Sequence, residues 1–172
     1  MKIIPFNTKP SIDDSVFIAQ NSLVIGNVTI KQDSSIWFGS VIRGDMHYIK
    51  IGKKTNVQDN CTIHVTTDVS PTIIGDEVTI GHNAVVHGCK VESRCLIGIN
   101  STILDDSVIG EGSIIGAGTV IPPNTSIPKR SLVVGVPGKV IRKTTDEEFK
   151  MIIDRSEHYI EYSKIYKNLS NE

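Results

Sequence analysis

The chain has 172 residues, 39% of them hydrophobic and 22% charged, with a formal net charge of −1 at pH 7. That size fits one ordinary domain, and so even a charge balance offers no footprint for nucleic acid or an anionic membrane as partner. Aromatic residues are scarce at 5%; with β-branched residues and glycines plentiful, the composition points to strands and tight turns, not to an aromatic core.

The N-terminal stretch MKIIPFNTKPSIDD has no apolar run long enough for a signal peptide. No segment approaches the ~20 apolar residues of a membrane span. The three cysteines, Cys61, Cys89 and Cys95, form no CxxC pair. A disulfide framework is therefore not expected, and the chain reads as a cytoplasmic protein with reduced thiols.

From Ile12 the chain repeats in sixes. The leading residues are Ile12, Ile18, Val24, Ile30, Ile36 and Ile42, then, after a short insertion, Ile51, Val57 and Ile63. A longer insertion containing TTDVSP precedes Ile74, Ile80 and Val86. The next step is one residue short, a tightened corner, and the series runs on as Val91, Ile97, Ile103, Ile109, Ile115, Ile121, Ile127 and Val133. Four places after the first seven of these come Cys95, Ser101, Ser107, Ser113, Thr119, Thr125 and Ser131. A helix would show spacings of three and four, and a half-buried strand would alternate strictly. A period of six with a large aliphatic first and a small residue fifth describes short strands joined by turns. Three such units close one triangular coil, and coils stack about 4.8 Å apart by strand pairing. One repeat cannot bury its own core, so many are needed. The fold class expected is an all-β solenoid of about seven coils, with both insertions leaving the coil as loops.

The tail, TTDEEFKMIIDRSEHYIEYSKIYKNL, breaks this pattern. Thr145 three residues before Glu148 is a capping box, and Phe149, Ile152, Ile153 and Ile160 follow at helical spacing. The expected division is a solenoid over 1–143 and a segment 144–172 whose helix, about 145–168, packs back on it.

The coil count also places the histidines. Ile42, Ile63 and Val86 lead every third unit, so they share a face, and each is followed at once by a polar residue: Arg43, His64 and His87. Val57 and Ile80 lead units on the preceding face, with Asp59 and His82 two places later. His64 and His87 thus become neighbours about 5 Å apart at the backbone, able to converge on one ion. His82, five residues before His87, lies around a corner. It can join them only from another copy, as a C3 trimer of parallel prisms would allow. His47 falls in an insertion and His158 in the helical tail; both read as structural.

The repeat from Ile12 to Pro137 resembles the hexapeptide-repeat family, which implies a left-handed parallel β-helix; the hand comes from the resemblance, not from the period. Within that family, VIRGDMH, NVQDNCTIH and IGHNAVVHGC resemble the gamma-class carbonic anhydrase branch. The resemblance implies a homotrimer with a divalent metal at each subunit interface, held by His64 and His87 of one chain and His82 of its neighbour. Three neutral imidazoles suit zinc, with iron or cobalt as alternatives, and leave a position open for water. The implied activity is a lyase reaction, the reversible hydration of carbon dioxide to bicarbonate by a metal-bound hydroxide. By the same resemblance Gln58 and Asp45 orient the water or substrate, Arg43 and Asp59 form an intersubunit salt bridge, and Tyr159 reaches toward the site from the helix.

Two departures bear on rate. Met46 stands where the family's best-studied carbonic anhydrase has a glutamate, and the short VTTDVSPT loop carries only Asp68. Proton export is therefore the expected limiting step. Three other functions fit a hexapeptide solenoid: an acyltransferase using acyl-coenzyme A with a single histidine base, a coenzyme A thioesterase using the same metal site, and a non-catalytic trimeric scaffold. The clustering of histidines at ligand spacing and the lack of a long substrate loop set the acyltransferase behind the anhydrase.

Overall fold

A large aliphatic residue every sixth place is buried continuously only if it sits on its equivalent one coil away. The computed structural model, which describes residues 2–169, has this arrangement. Residues 170–172 of the expected C-terminal segment lie outside the described residues. On one face Val24, Ile42, Ile63, Val86, Ile103 and Ile121 pair in sequence, all in parallel register. On the next face the ladder is Ile12, Ile30, Ile51, Ile74, Val91, Ile109 and Ile127. The remaining face stacks Ile18, Ile36, Val57, Ile80, Ile97, Ile115 and Val133. We call these the His64 face, the back face and the His82 face. Together they form a parallel β-solenoid of about seven turns. Ile3 adds one further rung, on Val24, ahead of the first predicted repeat.

Most of the leading aliphatics from Ile30 to Val133 are almost wholly inaccessible, each burial being worth about 1.5–3 kcal/mol. Most of the small residues, Thr125 excepted, are equally buried, and hydrogen bonds from several of their hydroxyls explain why they are polar. Ser40 donates to the Gln58 carbonyl at 2.6 Å, Ser101 to that of Gly98 at 2.7 Å and Ser131 to that of Pro128 at 2.8 Å. Each finds its acceptor in a backbone carbonyl at or beside a turn, so the buried hydroxyl is not left unpaired. The corners need left-handed backbone, and Asp33, Asn60, Asn83, Asn100, Asp106 and Asn124 supply it with φ of 56 to 59°. Short polar side chains tolerate that region where branched ones do not.

The two insertions behave differently. The first does not leave the coil as a loop. Val41–Ile51 is one continuous strand that turns the corner, and the extra residues are absorbed between Gly44 and Ile49, opposite Gly26 and Val28. Gly26 permits this, because a Cβ there would lie 2.4 Å from the Gly44 carbonyl oxygen. The second is a loop closed by an antiparallel bridge between Thr66 and Ser70. The shortened step after Val86 is a corner at Gly88, φ +54°.

The C-terminal helix spans Asp146–Leu169. Its capping box is formed in both directions: the Glu148 N–H donates to Thr145 Oγ1 at 3.1 Å, and the Thr145 N–H to Glu148 Oε2 at 2.9 Å. The helix lies on the His82 face, against Phe17–Ile18, Ser35–Ile36 and Thr79–Ile80. Of the apolar residues expected to pack, only Ile152 is fully buried. The contact stripe runs Ile152, Ser156, Tyr159, Ser163, Tyr166. Ser156 and Ser163 are buried, and Tyr159 and Tyr166 stand edge-on to Trp37 at 5.3 and 5.2 Å. Small serines let the helix approach the sheet, and Ser156 Oγ donates to the Lys54 carbonyl at 2.7 Å. Phe149 instead lies under the Arg130 guanidinium, 4.6 Å from ring centre to charge. No helix among the described residues is long and apolar enough to cross a membrane.

Candidate metal centre

His64 and His87 end the strands Thr62–His64 and Val85–His87 and are direct partners across one rung. Their rings are 5.1 Å apart, and His64 Nδ1 lies 3.1 Å from His87 Nε2. The outer nitrogen of each ring meets a carboxylate. His64 Nε2 is 3.0 Å from Asp45 Oδ1, and His87 Nδ1 is 2.8 Å from Asp105 Oδ1. A carboxylate accepts, so each outer nitrogen carries the proton and each inner nitrogen carries a lone pair. Two lone pairs facing each other repel unless a cation or proton lies between them. Two nitrogens sharing a tetrahedral ion with Zn–N bonds of about 2.0–2.1 Å sit roughly 3.3 Å apart. The pair therefore fits a divalent ion in donor type, tautomer and separation.

Electrostatics agree. Burial lowers the His64 pKa, and the Asp45 hydrogen bond, though opposing, does not reverse this; the ring stays neutral, the form that ligates. Burial pulls the Asp45 carboxyl upward, but hydrogen bonds from Arg43 and His64 outweigh it and hold the group below its ordinary value. Asp45 thus remains an anion and an acceptor.

His82 stands on the other face, 41% exposed, with Nδ1 2.8 Å from Asp59 Oδ2. This again leaves Nε2 with the lone pair. Gln58, buried beside it, donates to Asn56 Oδ1 at 3.2 Å. Gln58 and His82 share a cleft of about 480 Å³ with Tyr159, Ile99, Arg155 and His158.

The chain thus divides the expected residues into two sets. Arg43, Asp45, His64 and His87 meet on one face; Gln58, Asp59, His82 and Tyr159 meet on another. Within one chain, among the described residues, no three His, Cys, Asp or Glu side chains converge on a point that could hold an ion. Arg43 here pairs with Asp45, and Asp59 with His82. His47 accepts the Tyr48 N–H at Nδ1, 2.8 Å, a local structural contact. His158, which the sequence places in the helical tail as a structural residue, lies on the cleft wall. Asp105 is the site residue that sequence reasoning misses. A signal for it exists: Ile103 leads the unit after Val86 on the same face, and Asp105 follows it by two. Cys61, Cys89 and Cys95 are free and buried, and burial pushes their thiols up to about 12.

Residues 88–123 match the bacterial transferase hexapeptide family of six repeats. The chain is 50% identical over 153 residues to a protein named "Probable carbonic anhydrase" of Methanocaldococcus jannaschii, covering 89% of this chain and 96% of that one. It is 43% identical over 166 residues to gamma carbonic anhydrase 2, mitochondrial, of Arabidopsis thaliana, covering 94% of this chain. The chain belongs to the gamma carbonic anhydrase family of hexapeptide-repeat proteins. As a member of that family it spans 60% of the length of the Arabidopsis relative. Among solved structures, the product of the BC4754 gene of Bacillus cereus superposes with a TM-score of 0.95 at 42% identity, over 98% of both chains.

Proposed function

We propose that the chain is a metal-dependent gamma-type carbonic anhydrase that acts as a homotrimer and interconverts carbon dioxide and bicarbonate. The observation that carries this reading is the facing pair of ring nitrogens, His64 Nδ1 and His87 Nε2, 3.1 Å apart, each ring backed by a carboxylate. His82 of the partner subunit is the third ligand. Its own chain's pair is out of reach on another face, and its Nδ1 is already committed to Asp59. Zinc suits an all-imidazole set, with iron and cobalt next. Such an ion lowers the pKa of water toward neutrality and so supplies a hydroxide nucleophile at physiological pH.

The chain's own residues do the rest. Asp45, held anionic by Arg43, accepts a hydrogen bond at the site. The Gln58 amide and the Tyr159 hydroxyl line the facing cleft and orient the small substrate there. Across the trimer interface Arg43, while keeping Asp45, also reaches Asp59 of the neighbour, since its planar guanidinium carries donors enough for two carboxylates. Proton export limits the rate on this reading, because the residue after Asp45 is Met46, 46% exposed, which offers no carboxyl to carry protons out. Three buried, unpaired thiols suit a reducing cytoplasm.

A second reading rests on the cleft. Its volume of about 480 Å³ exceeds what a three-atom substrate requires, so the same centre could serve thioester hydrolysis. Zinc-loaded protein assayed in parallel by stopped-flow hydration of carbon dioxide and by acyl-coenzyme A hydrolysis decides between them. Hydration above the buffer blank is the expected result. Its absence at every buffer strength, with the metal in place, would overturn the anhydrase reading.

A further inference from the structure

The corner after His87 is built around one carboxylate. Asp105 Oδ1 receives two hydrogen bonds, from His87 Nδ1 at 2.8 Å and from Thr66 Oγ1 at 2.9 Å. The neighbouring Asp106 Oδ1 accepts from Ser70 Oγ at 2.6 Å. The loop closed by the Thr66–Ser70 bridge is thereby tied at both ends to the Asp105–Asp106 corner. Gly88 makes room for this. It takes φ +54°, donates its N–H to the His64 carbonyl at 3.2 Å and accepts the Asp106 N–H at 2.8 Å. A Cβ at Gly88 would fall 1.9 Å from Asp105 Oδ1. The Asp105 carboxylate fills the volume that any side chain at position 88 would occupy.

We propose that Asp105 is a positioning residue of the metal centre: it fixes His87 in the tautomer that presents Nε2 and couples the Thr66–Ser70 loop to the site. This rests on the metal reading above. Its physical basis is general. A carboxylate on the far nitrogen of a ligating imidazole sets ring orientation and donor strength, and its loss typically lowers metal affinity about 10- to 100-fold.

The test uses the full-length protein. Cobalt(II) affinity is measured by visible absorption with a competing chelator for the wild type, Asp105→Asn and Asp106→Asn. Asparagine at 105 keeps an acceptor for His87 and Thr66, so the corner folds, but it removes the charge. Asp106→Asn makes the same charge change one residue away. The expected result is an affinity about 10- to 100-fold lower in Asp105→Asn, with Asp106→Asn unchanged. Equal affinities for wild type and Asp105→Asn would overturn the proposal. A second readout does not depend on metal: ring ¹⁵N shifts of the chelator-treated wild type should show His87 protonated on Nδ1. A proton found on Nε2 would also overturn the proposal. If the wild type takes up no cobalt, the metal reading fails, and the tautomer alone decides the role of Asp105.

Discussion

His64 and His87 are direct partners on adjacent coils, and their inner ring nitrogens face each other 3.1 Å apart while their outer ones are held by Asp45 and Asp105. Among the described residues, no third ligand of the same chain reaches that point. On the proposed reading, the centre is completed by a residue of another copy.

The first prediction follows from that incompleteness. Light scattering should give a mass three times the 18.8 kDa chain, and elemental analysis close to one transition ion per chain. His82→Ala leaves the His64–His87 pair of its own chain intact, yet should lose the ion, because the pair it serves belongs to a neighbour. Full metal content in that variant would show that His82 is not a ligand.

Catalysis separates binding from orientation. His87→Ala should abolish both metal and hydration. Gln58→Ala should keep the metal but lower kcat on the order of tenfold, about 1.4 kcal/mol in the barrier, because the amide orients and does not ligate. Added imidazole buffer should raise the wild-type rate, since Met46 supplies no carboxyl next to Asp45. A rate indifferent to buffer would place the limiting step elsewhere.

Two glycine variants test the corner. Gly118 has φ +68°, and a Cβ added there would meet nothing within 4 Å. Gly118→Ala should therefore cost only the left-handed backbone penalty, about 1–2 kcal/mol. Gly88→Ala carries the same penalty and also drives its Cβ into Asp105. It should lower the thermal midpoint further and weaken cobalt binding as well. Equal midpoints would mean that the Asp105 carboxylate moves aside freely.

The helix cap should fail in acid. Hydrogen bonds from Arg142, and then from the Thr145 N–H, hold the Glu148 carboxyl down at about 2, against an ordinary 4.5. A depressed folded-state pKa contributes stability above the unfolded value, and this is lost as pH falls through the folded one. The loss should run from about pH 4.5 to about 2, and Glu148→Gln should remove that part of the pH dependence. NMR titration of the Glu148 side chain with a midpoint near 4.5 would contradict the cap geometry.

The buried thiols make a last prediction. With Cys61, Cys89 and Cys95 pushed up to about 12 by burial, native protein at pH 8 should resist thiol reagents until it unfolds. Rapid modification of any of the three would show that its coil opens.

The sequence by itself determined the columns. An aliphatic every sixth place can be buried only by stacking on its equivalent, so counting places Ile42, Ile63 and Val86 on one ladder, and with them His64 beside His87 and His82 around the corner. Thr145 and Glu148 announced the helix start for a similar reason, since a capping box is a contact between near neighbours in the chain. Only the tertiary structure decided what lies between columns. Whether the first insertion loops out or stays in the strand depends on the close approach of Gly26 to Gly44. The helix buries Ser156 and Ser163 in preference to Ile153 and Ile160 because small residues allow close approach, Ser156 finding the Lys54 carbonyl of a solenoid turn and Ser163 the Ile160 carbonyl of its own helix, while Tyr159 meets Trp37. Asp105 reaches His87 because the corner at Gly88 is short and bare of a side chain. Periodicity is a property of the chain taken six residues at a time, whereas these contacts depend on backbone dihedrals at corners and on side chains meeting across coils.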